Sequence, residues 1–276
     1  MKKLILCAGM LLLISQCSPG SALAASVGPT CDAATPEGGL LEIPKIGKSP
    51  LKAAFVYDYE NRDLRPKRND PDLRIHWFLA KLSIDIMDRV EPYIELGSAN
   101  ISTREPVTGG PSGTTRDSFD YGASFAWGLG TKVILFTKKV FSNQEKEMKL
   151  FSDTKFRRTR ALLDRYISQK ITSGDMDMHV FEWQTALGVS QEFKLSKHLT
   201  ATPYLGAKYS DVDIISDGTA FTASGQGIGG KVRYGSRNKF GPFVGVDIGI
   251  GKYMSLSVEG RFADENSVSA GITFRL

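Results

Sequence analysis

Ten charged residues sit at positions that share one face of alternating segments: Lys81, Asp85, Glu95, Asp120, Glu182, Lys208, Asp247, Glu259, Arg261 and Arg275. Both signs are present, and their chemistry depends on what that face encloses. In a tight interior, opposite charges must pair and hydrogen-bond, because an isolated charge out of water is costly. In a wider one they would line a narrow polar path for small solutes. A second set, Asp58, Glu60, Arg62, Asp63, Asp117, Asp211, Asp213, Asp264 and Glu265, stands near the ends of the same segments. Acids of that kind can serve general acid–base chemistry when a base is close. The three histidines, His76, His179 and His198, are far apart in sequence, and His76 and His179 share the parity of apolar residues. No cysteine or histidine cluster has metal-ligand spacing.

Two further motifs stand out, one basic and one glycine-rich. Residues 154–170 place Phe156, Leu162, Leu163, Tyr166 and Ile167 at helical spacing among Lys155, Arg157, Arg158, Arg160, Arg165 and Lys170. The pattern predicts a basic amphipathic helix, which suits either a solvated lid or an anionic phosphate surface. Arg157, Arg158, Arg160 and Arg165 are the residues such a surface would meet. Gly225-Gln226-Gly227-Ile228-Gly229-Gly230 matches G-x-G-x-x-G but lacks the strand–helix context of a dinucleotide site, so it reads as a loop. Nothing in the sequence calls for a cofactor, a metal or a nucleic acid, and no catalytic motif is recognisable.

The elements that position these residues are strands. Period-2 alternation dominates from about residue 50. Phe119, Tyr121, Ala123, Phe125, Trp127 and Leu129 share one face, opposite Asp120, Gly122, Ser124, Ala126 and Gly128. The same grammar recurs at 55–59, 78–86, 93–97, 179–193, 199–209, 240–250, 254–262 and 268–276. The segment 132–141 is apolar on both faces. An apolar face opposite a small polar one fits a second sheet in a soluble protein, or lipid in a membrane barrel.

The N-terminus favours export. Lys2 and Lys3 precede the apolar run Leu4 to Ile14, and Ser21-Ala22-Leu23-Ala24 supplies a small-residue cleavage site. A lipoprotein signal acylated at Cys17 is the competing reading. Cleavage after Ala24 takes the net charge from +5 to +3 and leaves Cys31 as the one cysteine, unable to form an internal disulfide. No later run approaches the 18 apolar residues of a membrane helix.

Links between the predicted strands alternate. Short ones fall at 87–91, 130–131, 195–198 and 251–253, and long ones at about 61–73, 102–118, 142–177 and 211–238. Ten strands with short inner turns, long outer loops and both ends inside satisfy the rules of bacterial outer-membrane barrels, with eight strands as the alternative. Residues 25–49, without clear period, then form a periplasmic leader, and 50–276 the barrel.

The chain end carries the most specific pattern. Val268, Ala270, Ile272, Phe274 and Leu276 alternate with Ser267, Ser269, Gly271, Thr273 and Arg275. This resembles the C-terminal signal read by the outer-membrane barrel assembly machinery, although that signal usually ends in an aromatic residue. As a whole, 50–276 resembles the small outer-membrane β-barrel superfamily, the OmpA-like and opacity-type proteins. The resemblance implies an all-β, antiparallel up-and-down transmembrane barrel of about ten strands in the cell outer membrane. It also implies contacts with outer-membrane lipid, lipopolysaccharide and the assembly machinery. It is nearly silent on activity. The expected role is structural or surface-interacting, with a lumen filled by paired charges. A narrow porin-like channel is the alternative, and an omptin-like hydrolase at the acidic rim a more distant one.

Overall fold

A computed structural model of the chain describes residues 51–65, 72–86, 89–107, 115–139, 147–167, 171–222, 227–251, 253–263 and 265–276. The expected signal peptide, the leader 25–49 and Cys31 lie outside the described residues. The described elements are all strands: β1 (Leu51–Arg65), β2 (Asp72–Ile84), β3 (Val90–Val107), β4 (Thr115–Lys139), β5 (Glu147–Ile167), β6 (Ile171–Gln191), β7 (Phe193–Ser196), β8 (Leu199–Thr222), β9 (Gly227–Gly229), β10 (Val232–Ser236), β11 (Phe240–Ile250), β12 (Met254–Arg261) and β13 (Asn266–Arg275). Each pairs antiparallel with its neighbours. The ring β1-β2-β3-β4-β5-β6-β8-β11-β12-β13 closes where Lys52 to Asn61 of β1 pair with Arg275 to Asn266 of β13. Closure leaves no open edge, which a hydrocarbon surround requires.

The ten-stave ring agrees with the count read from the sequence, but two segments differ. The predicted turn at Gly130–Thr131 does not exist. Residues 119–129 and 132–141 belong largely to one strand, β4, of 25 residues. The predicted helix at 154–170 is the strand β5 instead. The two errors cancel in the count. The long predicted loops 142–177 and 211–238 are largely occupied by β5 and the start of β6, and by the upper half of β8, β9 and β10.

Both errors have physical causes. Gly130 looks like turn punctuation, but it is a lumen-facing position that leaves room for a ring: a Cβ there would overlap Tyr93. β5 carries Ser152, Thr154, Arg158 and Arg160 on its outer face, so the apolar-out alternation that marks the other strands is missing. The polar outer face is satisfied locally, since the Thr154 and Thr185 hydroxyls lie 3.1 Å apart across the β5–β6 pair. The apolar spacing that mimicked a helix is a coincidence of strand residues.

Burial alternates along the strands. In β2, Leu73, Ile75, Trp77, Leu79 and Lys81 are buried, while Phe78, Ala80 and Leu82 are exposed. The exposed side of the barrel is apolar: Phe55, Phe78, Leu82, Ile94, Leu96, Leu129, Leu187, Leu205, Phe240, Leu256 and Val258 all face outward. Charged residues are buried and large apolar ones exposed, which inverts a water-soluble fold and matches a lipid-facing exterior. One parity break stands out. At a register irregularity between Tyr121 and Ala126 the strand flips, so Phe119 and Tyr121 point inward and Asp120 outward, the reverse of the sequence reading.

The staves are unequal. β11, β12 and β13 have 11, 8 and 10 residues, near what a tilted strand needs to span a bilayer. β8 has 24 residues, which at about 3.3 Å each and about 40° tilt reach about 60 Å along the axis. The excess lies at the end opposite Leu51 and Leu276. There β10 crosses above the short β12–β13 hairpin, pairing with Asp213–Ser216 of β8 and with Leu64 and Arg65 of β1. The taller part of the wall is thus closed without β12 and β13.

Candidate functional site

The candidate site is the lumen. Its described side chains fall into three zones, starting at the mouth that carries Leu51 and Leu276. At that mouth Lys52 donates to Asp85 at 3.1 Å and to Glu91 at 3.0 Å. Just inside, the Lys81 ammonium lies 3.6 Å from the centre of the Tyr93 ring, and the Tyr93 hydroxyl donates to Asp153 at 2.9 Å. A cavity of about 20 Å³ lies beside them, lined by Lys81, Glu95, Lys132 and Asp247 and by the small residues Ala54, Ser255 and Gly271. That volume holds about one water. Phe151, Tyr204 and Phe243 pack together across the same level, Phe151 edge to face with Tyr204 and Phe243 tilted against both.

The middle zone is an ion-pair network that ties facing walls together. Arg157 on β5 donates through Nε to Glu95 of β3 at 2.7 Å and through Nη1 to Asp58 of β1. Arg261 on β12 reaches Asp58 at 3.1 Å, Gln184 at 3.0 Å and Glu265 at 3.0 Å. Arg62 on β1 donates to Glu182 and to the Ser210 hydroxyl, both at 2.6 Å, and is paired with Glu265. Lys208 donates to Glu265. These side chains are buried. Glu60, Glu182 and Glu265 come close enough to suggest a cation site. Their gathering is explained by Arg62, which is ion-paired with all three.

The third zone, toward the far end, is apolar. Leu64, Leu73, Ile75, Trp77, Ile101, Phe119, Tyr121, Met178, Val180, Val212 and Ile214 form one buried cluster across the barrel. Trp77 joins it to the network, its ring 5.4 Å from the Arg157 guanidinium. Buried charges number ten carboxylates and eight cations among the described residues, so most can be matched in pairs.

Of the ten charges read from the sequence, Lys81, Asp85, Glu95, Glu182, Lys208, Asp247, Glu259 and Arg261 lie buried in the lumen. Asp120 lies outside, for the reason given above, and Arg275 is half-buried at the mouth. Three of the eight rim acids and Arg62 move inward: Asp58, Glu60 and Glu265 are network members. Asp211 and Asp213 stay outside, paired with Lys239 and Arg233, and the side chains of Asp117 and Asp264 lie outside the described residues. Lys52, Glu91, Lys132, Asp153 and Lys155 were not anticipated. The signal was available on β1, where extending the 55–59 alternation both ways puts Lys52, Asp58, Glu60 and Arg62 on one face.

The four arginines assigned to an anionic surface divide. Arg157 is fully buried in the network, whereas Arg158 and Arg160 face outward. The side chain of Arg165 lies outside the described residues. His76 and His179 face outward, His76 accepting or donating to the Tyr57 hydroxyl at 2.8 Å and His179 3.4 Å from Asp177. The glycine-rich string contributes β9, a short partner of Thr219–Phe221 on β8. In β13, Val268, Ala270, Ile272 and Phe274 lie on the outer parity, and the Leu276 amide donates to the Leu51 carbonyl at 2.8 Å.

No family model and no curated protein matches the sequence. Solved structures do share its architecture. The outer-membrane protease OmpT from Escherichia coli is 11% identical, with a TM-score of 0.46 over 83% of this chain and 96% of that one. The transport unit of the Escherichia coli autotransporter AIDA-I is 10% identical, with a TM-score of 0.35 over 86% and 92%. The Ralstonia pickettii toluene transporter TbuX is 12% identical, with a TM-score of 0.28 over 93% and 95%. At these values none of the three assigns an activity to this chain, whose fold is that of a closed antiparallel ten-stave β-barrel.

Proposed function

We propose that the chain is an outer-membrane barrel of the small OmpA-like and opacity-type kind, with a filled lumen and a structural or surface-interaction role. The inverted surface, apolar outside and charged within, supports the membrane placement. The observation that carries the role is the stacking of two seals. A cross-lumen ion-pair network lies beneath an apolar cluster whose floor is Trp77. A solute path would need both to open, and each is tied to several staves.

The long far ends of β4, β5, β6 and β8 are the part offered to partners, since they rise beyond the length a bilayer needs. Liposome swelling tests the reading. Vesicles holding the refolded chain should swell in small sugars no faster than empty vesicles. Swelling at porin-like rates would replace the filled barrel by the channel alternative.

A further inference from the structure

At the mouth that carries Leu51 and Leu276, β4 runs on past its neighbour. β3 begins at Val90, opposite Val133, and the last bond on that side runs from the Ile134 amide to the Arg89 carbonyl at 2.7 Å. β4 continues to Lys139, its other side paired with residues 147–150 of β5. Among the described residues nothing pairs with 135–139 on the β3 side. An open edge offers its N–H and C=O groups to any strand that can reach them. Leu135 and Phe136 are exposed on it. The protruding hairpin is basic in sequence, with Lys138, Lys139 and Lys149 against the single acid Glu147.

The chain brings a complementary segment to the same mouth. Residues 25–44 contain Asp32, Glu37 and Glu42 and no lysine or arginine. Within them the apolar stretch Leu40-Leu41-Glu42-Ile43 is bounded by Gly38-Gly39 and Pro44, as a short strand would be. The registers Leu51↔Ile84, Ser83↔Tyr93 and Pro92↔Thr131 set Leu51 three strands from β4, at a level four residues before Leu135. That path is about 20 Å. Ile43 lies eight positions before Leu51, a reach of up to about 26 Å. A segment rising into β1 also runs antiparallel to β4, which descends to this mouth.

We propose that residues 40–43 add to the free edge of β4 as a short antiparallel strand, in the column that β3 leaves empty beyond Val90, with the acidic leader lying along the basic hairpin. A lipid can cover Leu135 and Phe136 but offers no backbone to pair with the edge. The leader is favoured over a second copy because its tether holds it at an effective concentration on the order of millimolar. The inference stands on the strand register alone and needs neither the filled lumen nor the choice of membrane.

Two measurements on the full chain in detergent test it. In a chain whose own cysteines are replaced by serine, Leu41→Cys is combined in turn with Leu135→Cys, Phe136→Cys, Thr137→Cys and Lys138→Cys. At least one pair should form an intramolecular disulfide under mild oxidation, roughly tenfold faster than Leu41→Cys with Lys194→Cys across the same mouth. Hydrogen exchange reads the edge directly. Leu41→Pro with Glu42→Pro removes strand donors without shortening the chain, and should speed exchange at residues 135–138 roughly tenfold while 126–133 are unchanged. No pair above the Lys194 level, a disulfide-linked dimer in place of the intramolecular bond, or exchange at 135–138 unmoved by the prolines would each overturn the proposal. Heat-modifiable gel mobility shows separately that each variant is folded.

Discussion

Arg157 of β5 and Asp58 of β1 project from facing walls and are joined by a direct ion pair across the barrel axis. A lumen that two side chains can bridge has no room for a continuous water column at that level. Glu95 holds the same guanidinium from β3, so the bridge is fixed in direction as well as length. Replacing Arg157 should therefore be costly. Arg157→Met leaves Glu95 without its guanidinium and Asp58 with Arg261 alone in a buried site, and is expected to destabilise the barrel by about 3–5 kcal/mol. Urea unfolding in detergent reads the loss. Adding Asp58→Asn and Glu95→Gln should recover most of it, because the cost lies in unpaired charge. Failure of the triple variant to recover would mean that packing, not charge, dominates at this level.

The outer face makes an independent claim. Leu205 lies midway along the bilayer-spanning part of β8, between Leu199 and Tyr209, and is exposed. Leu205→Arg should cost about 2–4 kcal/mol in lipid, the penalty for a cation near the midplane. In a water-facing sheet the same change would cost almost nothing. Folding yield into vesicles, compared with a Lys194→Arg control, separates the two.

Gly245 and Tyr204 face each other across the β8–β11 pair. A Cβ on Gly245 would overlap the Tyr204 ring, which is buried and cannot swing away. Gly245→Val should destabilise by about 1–3 kcal/mol through overpacking. Tyr204→Leu in the same chain should relieve part of it. Additive losses in the double variant would show that the two sites do not touch.

Ala263 in the β12–β13 turn has φ of 76°, a conformation that costs a side chain about 1–2 kcal/mol. The turn is held there by Asn238, which donates to the Ala263 carbonyl at 3.0 Å. Ala263→Gly is expected to raise the unfolding midpoint, with a gain of about 1 kcal/mol. A drop would mean that the methyl group packs against something that outweighs the backbone strain.

The barrel was legible from alternation because lipid outside and polar groups inside impose a strict period of two. The staves β1, β2, β8, β11, β12 and β13 carry that signature openly. It failed at β5, where Ser152, Thr154, Arg158 and Arg160 make the lipid side as polar as the lumen side, so no contrast marks the strand. It failed again at Gly130, because a glycine that receives a ring and a glycine that turns the chain look alike in one dimension. The network was half legible for a related reason. Lys81, Glu95 and Glu182 lie inside strands whose parity is clear. Asp58, Glu60 and Arg62 lie at or beyond the end of the 55–59 alternation, and Glu265 just before β13, where tall neighbouring staves and the β10 crossing enclose what looks like a rim.

The filled lumen is the central claim, and single-channel recording in planar bilayers tests it most directly. The refolded wild-type chain should give no stable ohmic step in molar salt, because the Arg157–Asp58–Arg261 layer and the apolar cluster that rests on Trp77 both block the axis. Reproducible steps of uniform conductance from the unmodified chain would contradict it.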